Sequence, residues 1–332
     1  MKTLNNYIQE KLVVFPSQVD EKLVIFPSQV NEKLVIFPSQ LNEKLVINKS
    51  YKQVYNYKPE RFPELIKIII DKLGDPVSQK NQVLDMSDVD ISSFINLADT
   101  FNASMYQFKK TYNGDSCMDL LKNIKTLNIS GWDTSKVKSF YALFEGCTNL
   151  EKIIGIEDLD VSNAHTISHM FNKCENLTKL DLSKWKVGNV TMMTGLFYGC
   201  IRLEEIKGIE TWQFNTVGNL SFDSMFNECE SLRSIDISNW KVENVRDCDC
   251  MFRRCYELTS IGDISGWKLE HIDSMEKMFF GCTKLKNIGN INVWSDVDYD
   301  RFNRFLYCIN AFKLCDESII PEWYKRNQKF NT

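Results

Sequence analysis

A unit of 26 to 29 residues recurs through the C-terminal two-thirds of the chain, each copy carrying Phe-x-x-Cys, with the cysteines at 147, 174, 200, 229, 255, 282 and 308. A single active site does not generate evenly spaced copies. A solenoid does, because each unit can bury its apolar face only against its neighbours.

Aligning the copies sets their phase. Trp132, Trp185, Trp212, Trp240, Trp267 and Trp294 form one column, with Leu159 in place of Trp in one unit and Val89 in a degenerate first unit. Phe101, Phe144, Phe171, Phe197, Phe226, Phe252, Phe279 and Phe305 form a second column, which makes about eight units.

Within a unit the apolar period changes from two to a helix-like spacing. Leu177-x-x-Leu180-x-Leu182-x-x-Trp185 reads as a strand, and Val190, Met193, Leu196, Phe197, Cys200 and Leu203 then fall on one helical face. Asn163, Asn189 and Asn244 stand where they could cap that helix. The expected fold is therefore an α/β solenoid of strand-helix units. Strands stack about 4.8 Å apart and helices about 8 to 10 Å, which predicts a curved arc with the sheet on its concave side.

The segments "LTKLDLSKWKVGNVTMMTGLFYGCIRL" (177–203), "LRSIDISNWKVENVRDCDCMFRRCYEL" (232–258) and "IKTLNISGWDTSKVKSFYALFEGCTNL" (124–150) resemble the repeat of BspA-like leucine-rich-repeat surface proteins. There, Leu-Ser-x-Trp-Asp-x-Ser-x-Val leads into Met-Phe-x-x-Cys. The resemblance covers about residues 51–312 and implies a leucine-rich-repeat-like scaffold. The family includes adhesins, surface lipoproteins and proteins of large viruses and phages, so adhesion or display on a cell surface or virion is what the resemblance implies.

The divisions expected are a repeat array at 1–48, a helical cap at 49–80, the solenoid at 81–315 and a C-terminal cap at 316–332. Pro63 to Leu73 reads as an amphipathic helix with Leu65, Ile66, Ile69 and Leu73 on one face and Gly74 as its stop. An insertion around Met105 to Leu120, with "TYNGDS" as a turn signal, separates the first two units. Trp323 and Tyr324 are placed to close the last unit.

The N-terminal array is the second unusual feature. "EKLVVFPSQVD" (10–20), "EKLVIFPSQVN" (21–31) and "EKLVIFPSQLN" (32–42) are nearly identical, and "EKLVIN" (43–48) is a truncated fourth copy. Pro16, Pro27 and Pro38 rule out a continuous helix, so each unit reads as a short strand ended by Pro-Ser-Gln. Two explanations stand. The units form a small cap or are a duplication without a role, or they are equivalent docking peptides that gain avidity on a periodic partner such as a surface-layer or capsid protein. In the docking reading the contact residues are Leu12, Val14 and Phe15, then Leu23, Ile25 and Phe26, then Leu34, Ile36 and Phe37.

Composition narrows the function classes. A net charge of -4 argues against nucleic-acid binding. No stretch approaches 18 apolar residues and "MKTLNNYIQ" lacks a signal-peptide core, so neither membrane insertion nor ordinary export is expected. Seven of the eleven cysteines share one repeat position, where helix spacing is too wide for disulfides; buried free thiols are expected. Cys248 reads as core, and Cys117, Cys250 and Cys315 lie outside the pattern.

No catalytic, cofactor or metal set emerges. His165 and His169 are expected to point to solvent, without a third ligand. Cys248-x-Cys250 lacks the spacing of zinc modules, and Asp296, Asp298 and Asp300 are followed by Arg301 where a calcium loop needs Gly. The Trp column reads as a packing ladder. Period-two geometry turns Thr126, Asn128, Lys179, Asp181, Ser234 and Asp236 outward, as a polar strip for a protein or glycan. The expectation is a non-enzymatic interaction scaffold anchored through its N-terminal repeats, with an intracellular adaptor binding a protein on the concave face as the alternative; the oligomeric state stays open.

Overall fold

A computed structural model describes residues 56–104, 111–112, 115–215, 219–269, 271–296 and 308–328, together with two short strands near the N-terminus. Those strands, β1 (Leu12–Val13) and β2 (Leu34–Val35), pair in parallel with Leu12 opposite Leu34. Val14, Phe15, Leu23, Ile25, Phe26, Ile36 and Phe37 lie outside the described residues.

The repeat region is a stack in which each unit pairs in parallel with the next. On one side run β3 (Val83–Asp85), β6 (Thr126–Asn128) and β7 (Lys152–Ile154), then β8 (Lys179–Asp181) with β9 (Glu205–Lys207), then bridges joining Ser234, Ser260 and Asn287. Between the first two units lies the hairpin of β4 (Thr111–Tyr112) and β5 (Asp115–Ser116), followed by a six-residue helix, Cys117–Lys122.

The second half of each unit is not a helix. It is a run of turns in which every third or fourth residue closes an i to i+3 hydrogen bond: the N–H groups of Leu196, Cys200 and Leu203 donate to the carbonyls of Met193, Phe197 and Cys200. Alternate N–H groups point along the stack and donate to the next unit, as Ile167, His169, Phe171 and Lys173 do to Met192, Thr194, Leu196 and Tyr198. This turn side is the more continuous ladder, running from Asn96 through Ser139, Thr166, Met192 and Ser221 to Asp247 and Ser274. Its last two steps use β10 (Leu220–Ser221) and β11 (Val245–Asp247).

An apolar spacing of three is produced equally by successive turns and by a helix, which is why periodicity misled. The turns need left-handed residues at fixed places. Ala142, His169, Gly195, Ser224, Cys250, Lys277 and Asn310 all have φ between 52° and 59°. The capping role expected for asparagine is replaced by inter-unit bonds: the Asn163 and Asn189 amides each donate to the preceding unit, to the carbonyls of Ser135 and Ser162, at 2.7 Å. Because the turn side is bonded from unit to unit at strand-like spacing, the helix-to-helix spacing that predicted a curved arc does not apply.

The core lies between the two sides and consists of stacked columns. Phe144, Phe171, Phe197, Phe226, Phe252 and Phe279 are fully buried and stack at 5.1 to 5.8 Å. Trp185, Trp212, Trp240 and Trp267 stack at 6.0 to 6.5 Å, and the indole N–H of Trp185 donates to the Ile156 carbonyl of the unit before. The last register differs from the one read from sequence. Phe312 packs tilted on Phe279 at 5.3 Å and Cys315 follows in the thiol column, so Phe312-x-x-Cys315 takes the last described place in the columns; Phe305 lies outside the described residues.

Helices cover both ends of the core. α1 (Phe62–Leu73) buries Leu65, Ile66, Ile69 and Leu73 and starts with Pro after a box in which Glu64 bonds back to Arg61. Its Lys72 pairs with Asp88 at 2.8 Å, with both side chains largely buried. At the other end, in Glu322–Gln328, Tyr324 packs edge-on against Phe312 and the Trp323 indole N–H donates to the Ile291 carbonyl.

Candidate functional site

The strand side carries the polar strip, and its members differ in exposure. Lys179, Asp181, Ser234 and Asp236 are exposed and Thr126 is half-buried. Asn128, expected to face outward, is fully buried. Its amide donates to Asp85 Oδ1 at 2.9 Å and its Oδ1 accepts the Ser130 N–H. It sits next to another polar strand end rather than next to solvent, so it is a structural residue.

Asp181 and Asp236 also shape the chain locally. Each accepts the N–H and the hydroxyl of the serine two residues on, Ser183 or Ser238, at 2.6 to 3.1 Å. Those bonds, with Ser183 first, hold the Asp181 carboxyl below the usual range. The same Asx turn recurs at Asp85, Asp133, Asp160 and Asp263. Lys179 pairs with Glu205 of the next unit at 3.1 Å, an exposed pair of small energetic weight. The outward chemistry varies from unit to unit at the position of Lys179, Ser234 and Asn287, while the Asx turns and the inward columns repeat.

His165 is exposed, as expected, but His169 is half-buried. Its ring packs edge-on to Tyr141 at 5.6 Å and its Nδ1 lies 3.4 Å from the Asn172 amide. That amide also donates to Glu145 Oε1, while the Asn102 amide donates to Oε2, so one carboxylate ties three successive units together. Burial raises the Glu145 pKa, only partly offset by His169.

Sequence reasoning passed over an acidic patch on the turn side. Asp223, Asp247, Asp249 and Glu276 come from three successive units. Burial, followed by the charges of Asp249, Asp223 and Asp273, pushes the Asp247 carboxyl up to about 6. Asp249 accepts the Ser274 hydroxyl and the Glu276 N–H. Asp247-x-Asp249 was the available signal, but only in-register turns bring Asp223 and Glu276 beside it.

The thiols form no group with metal-binding geometry among the described residues. Cys147, Cys174, Cys200, Cys229, Cys255 and Cys282 each donate Sγ–H to a Phe carbonyl of the preceding unit at 3.0 to 3.2 Å. Cys308 is buried, and burial pushes it up to about 12. Among the described residues, no helix is long and apolar enough to cross a membrane.

In-register parallel stacking of a repeated unit around aromatic and thiol columns defines a repeat solenoid. The chain belongs to the family described as "Mycoplasma protein of unknown function, DUF285", whose model matches residues 109–221 and 203–314. No curated protein matches it in sequence. Among solved structures it is similar to a T. pallidum leucine rich repeat protein, at 16% identity over 75% of this chain and 82% of that one, with a TM-score of 0.31. It is also similar to a Leptospira interrogans LRR protein, at 13% identity over 70% of this chain and 58% of that one, with a TM-score of 0.19. At those scores the architecture rests on the hydrogen bonds and stacked columns above.

Proposed function

We propose that the protein is a non-enzymatic interaction scaffold of BspA-like type, a surface- or virion-associated attachment component held to a larger assembly through its N-terminal 11-residue units. The observation that carries this reading is the division of labour in the repeat. Trp, Phe and Cys columns are spent on the core, while the exposed strand position held by Lys179, Ser234 and Asn287 differs between units. A scaffold needs a constant interior and a variable exterior, and this arrangement supports one.

The near-identity of the N-terminal units points to equivalent partner sites, as a periodic surface-layer or capsid protein would offer. Deleting residues 10–31 tests the reading. If the units dock, the repeat region keeps its melting temperature and attachment to the assembly falls steeply, because avidity is lost with each site. Loss of repeat-region stability with unchanged attachment would make the array a structural cap.

A further inference from the structure

The two sides of the stack are not equally continuous. On the turn side every described step is hydrogen-bonded. On the strand side the pairing stops twice, between β7 and β8 and between β9 and the strand end at Ser234. No backbone hydrogen bond joins residues 151–155 to 178–182, or 204–208 to 233–237. At the same two steps the turn side keeps its backbone bonds: among them Ile167, His169, Phe171 and Lys173 donate across the first, at 2.7 to 3.1 Å, and Phe222, Ser224, Phe226 and Glu228 across the second, at 2.7 to 2.8 Å.

The breaks follow a rule in the sequence. Units of one kind turn through Asp-x-Ser or Asn-x-Ser immediately after the core strand residue, as at Asp85, Asn128, Asp181 and Asp236. Units of the other kind have a glycine with φ near +80 to +90° in that turn, as at Gly155, Gly208, Gly262 and Gly289, with the Asp263 turn displaced one residue beyond Gly262. The glycine units place one more residue between the core strand residue and the Trp column: Ile206 to Trp212 is six, Leu180 to Trp185 is five. Both breaks fall where a glycine unit is followed by an Asp unit. Asp-to-glycine steps stay paired, as Asn128 to Ile154 and Asp181 to Lys207 do. The extra residue moves the forward-facing N–H groups of the glycine unit out of register with a shorter neighbour.

We infer that the strand face is jointed: three rigid blocks, ending near Ile154, near Lys207 and beyond Asn287, hinge on the turn side at these two steps. Side chains span the joints in place of backbone bonds. Lys184 pairs with Asp158 and Trp185 reaches Ile156 across the first; Arg233 pairs with Glu204 at 3.2 Å and the Trp240 indole N–H reaches the Ile209 carbonyl at 2.9 Å across the second. Such links tolerate angular change that a strand ladder does not. Four exposed strip residues, Lys179, Asp181, Ser234 and Asp236, stand on the far lips of the joints, so bending there alters the spacing of the residues a partner would meet. The face adjusts its curvature to the partner's surface, with the turn side as the flexible spine.

Paired spin labels on the full chain test this, with Cys117, Cys250 and Cys315 replaced by serine and folding checked by thermal melting. Labels at Lys179→Cys and Glu205→Cys lie within a block, and labels at Lys152→Cys and Lys179→Cys cross the first joint. Thr166→Cys and Met192→Cys cross the same joint on the turn side. Strong dipolar broadening is expected for the first and third pairs, with weaker, temperature-dependent broadening for the second. Equal spectra for all three, or loosening on the turn side, would overturn the hinge. Hydrogen exchange on the unmodified chain gives an independent reading: amides of Ile153, Gly155, Ile206 and Gly208 are expected to exchange at least about tenfold faster than those of Ile129, Leu182 and Ile235. Uniform protection would also overturn it.

Discussion

Cys315 Sγ donates to the Phe279 carbonyl at 2.9 Å, repeating the contact that Cys282 makes with Phe252 at 3.0 Å one unit earlier. That single relationship sets the register of the last unit and shows what the thiol does throughout the stack. It fills a small apolar slot and adds its weak donor to a carbonyl that already closes a turn, as Phe252 and Phe279 accept the N–H groups of Cys255 and Cys282.

The thiols should therefore be slow to react in the native state. Burial raises the pKa of Cys147 to about 12, and Cys174, Cys229 and Cys282 are also raised well above the usual thiol range. Titration with a thiol reagent is expected to label the partly exposed Cys250 and Cys315 first, and the buried column only on denaturation, without reductant. Native disulfides between consecutive column members would contradict the stacking.

Phe197 lies between Phe171 at 5.6 Å and Phe226 at 5.4 Å and is fully buried. Phe197→Ala is expected to cost about 3 to 5 kcal/mol. Lys179→Ala, on the exposed strip, should change stability by no more than about 0.5 kcal/mol. Urea denaturation of both variants measures the contrast, and equal losses would mean that the inward and outward faces are wrongly assigned.

Gly208 has φ +89°, and a Cβ there would sit 2.2 Å from the Ser183 Cα of the preceding unit. Backbone cannot yield as a side-chain tip can, so Gly208→Ala combines strain of about 1 to 2 kcal/mol with a displaced neighbour. Gly266, around which a Cβ would meet nothing within 4 Å, is the control, and Gly266→Ala should be nearly neutral. A smaller loss at Gly208 than at Gly266 in thermal melts would refute the close approach.

The acidic patch predicts a pH dependence with a definite sign. Asp247 titrates near 6 in the fold against an ordinary value of 3.8, so its charged form is disfavoured on folding. Its contribution is fully favourable below about pH 4 and is lost as pH rises to about 6. Asp247→Asn should thus stabilise the protein at pH 7 relative to the parent. The gain is up to about 1 kcal/mol, because the group is half-exposed and screened, and it should vanish near pH 4. Asp181 and Asp263, whose carboxyls are held low by Ser183 and Ser265, contribute in the opposite direction, so only the difference between variant and parent isolates Asp247.

Periodicity alone marked the unit length, the Trp and Phe columns and the burial of the thiols, because a residue repeated at one phase can be satisfied only by like residues in adjacent units. Leu65, Ile66, Ile69 and Leu73 were legible for a related reason: local spacing defines one face of a helix wherever it docks. The strip was legible in part. Alternation turned Lys179 and Asp236 outward, but it could not foresee that Asp85 would draw Asn128 inward. The nature of the second half-unit was decided by tertiary structure. Met193, Leu196, Phe197 and Cys200 suit a helix as well as a chain of turns, and the choice rests on N–H groups finding carbonyls in the next unit rather than four residues back. The end of the repeat was decided in the same way. Phe312 heads a Phe-x-x-Cys, and its packing against Phe279 gives it the last described place in the column. Local sequence specifies what each residue can satisfy, whereas the neighbouring unit determines which of those possibilities is satisfied.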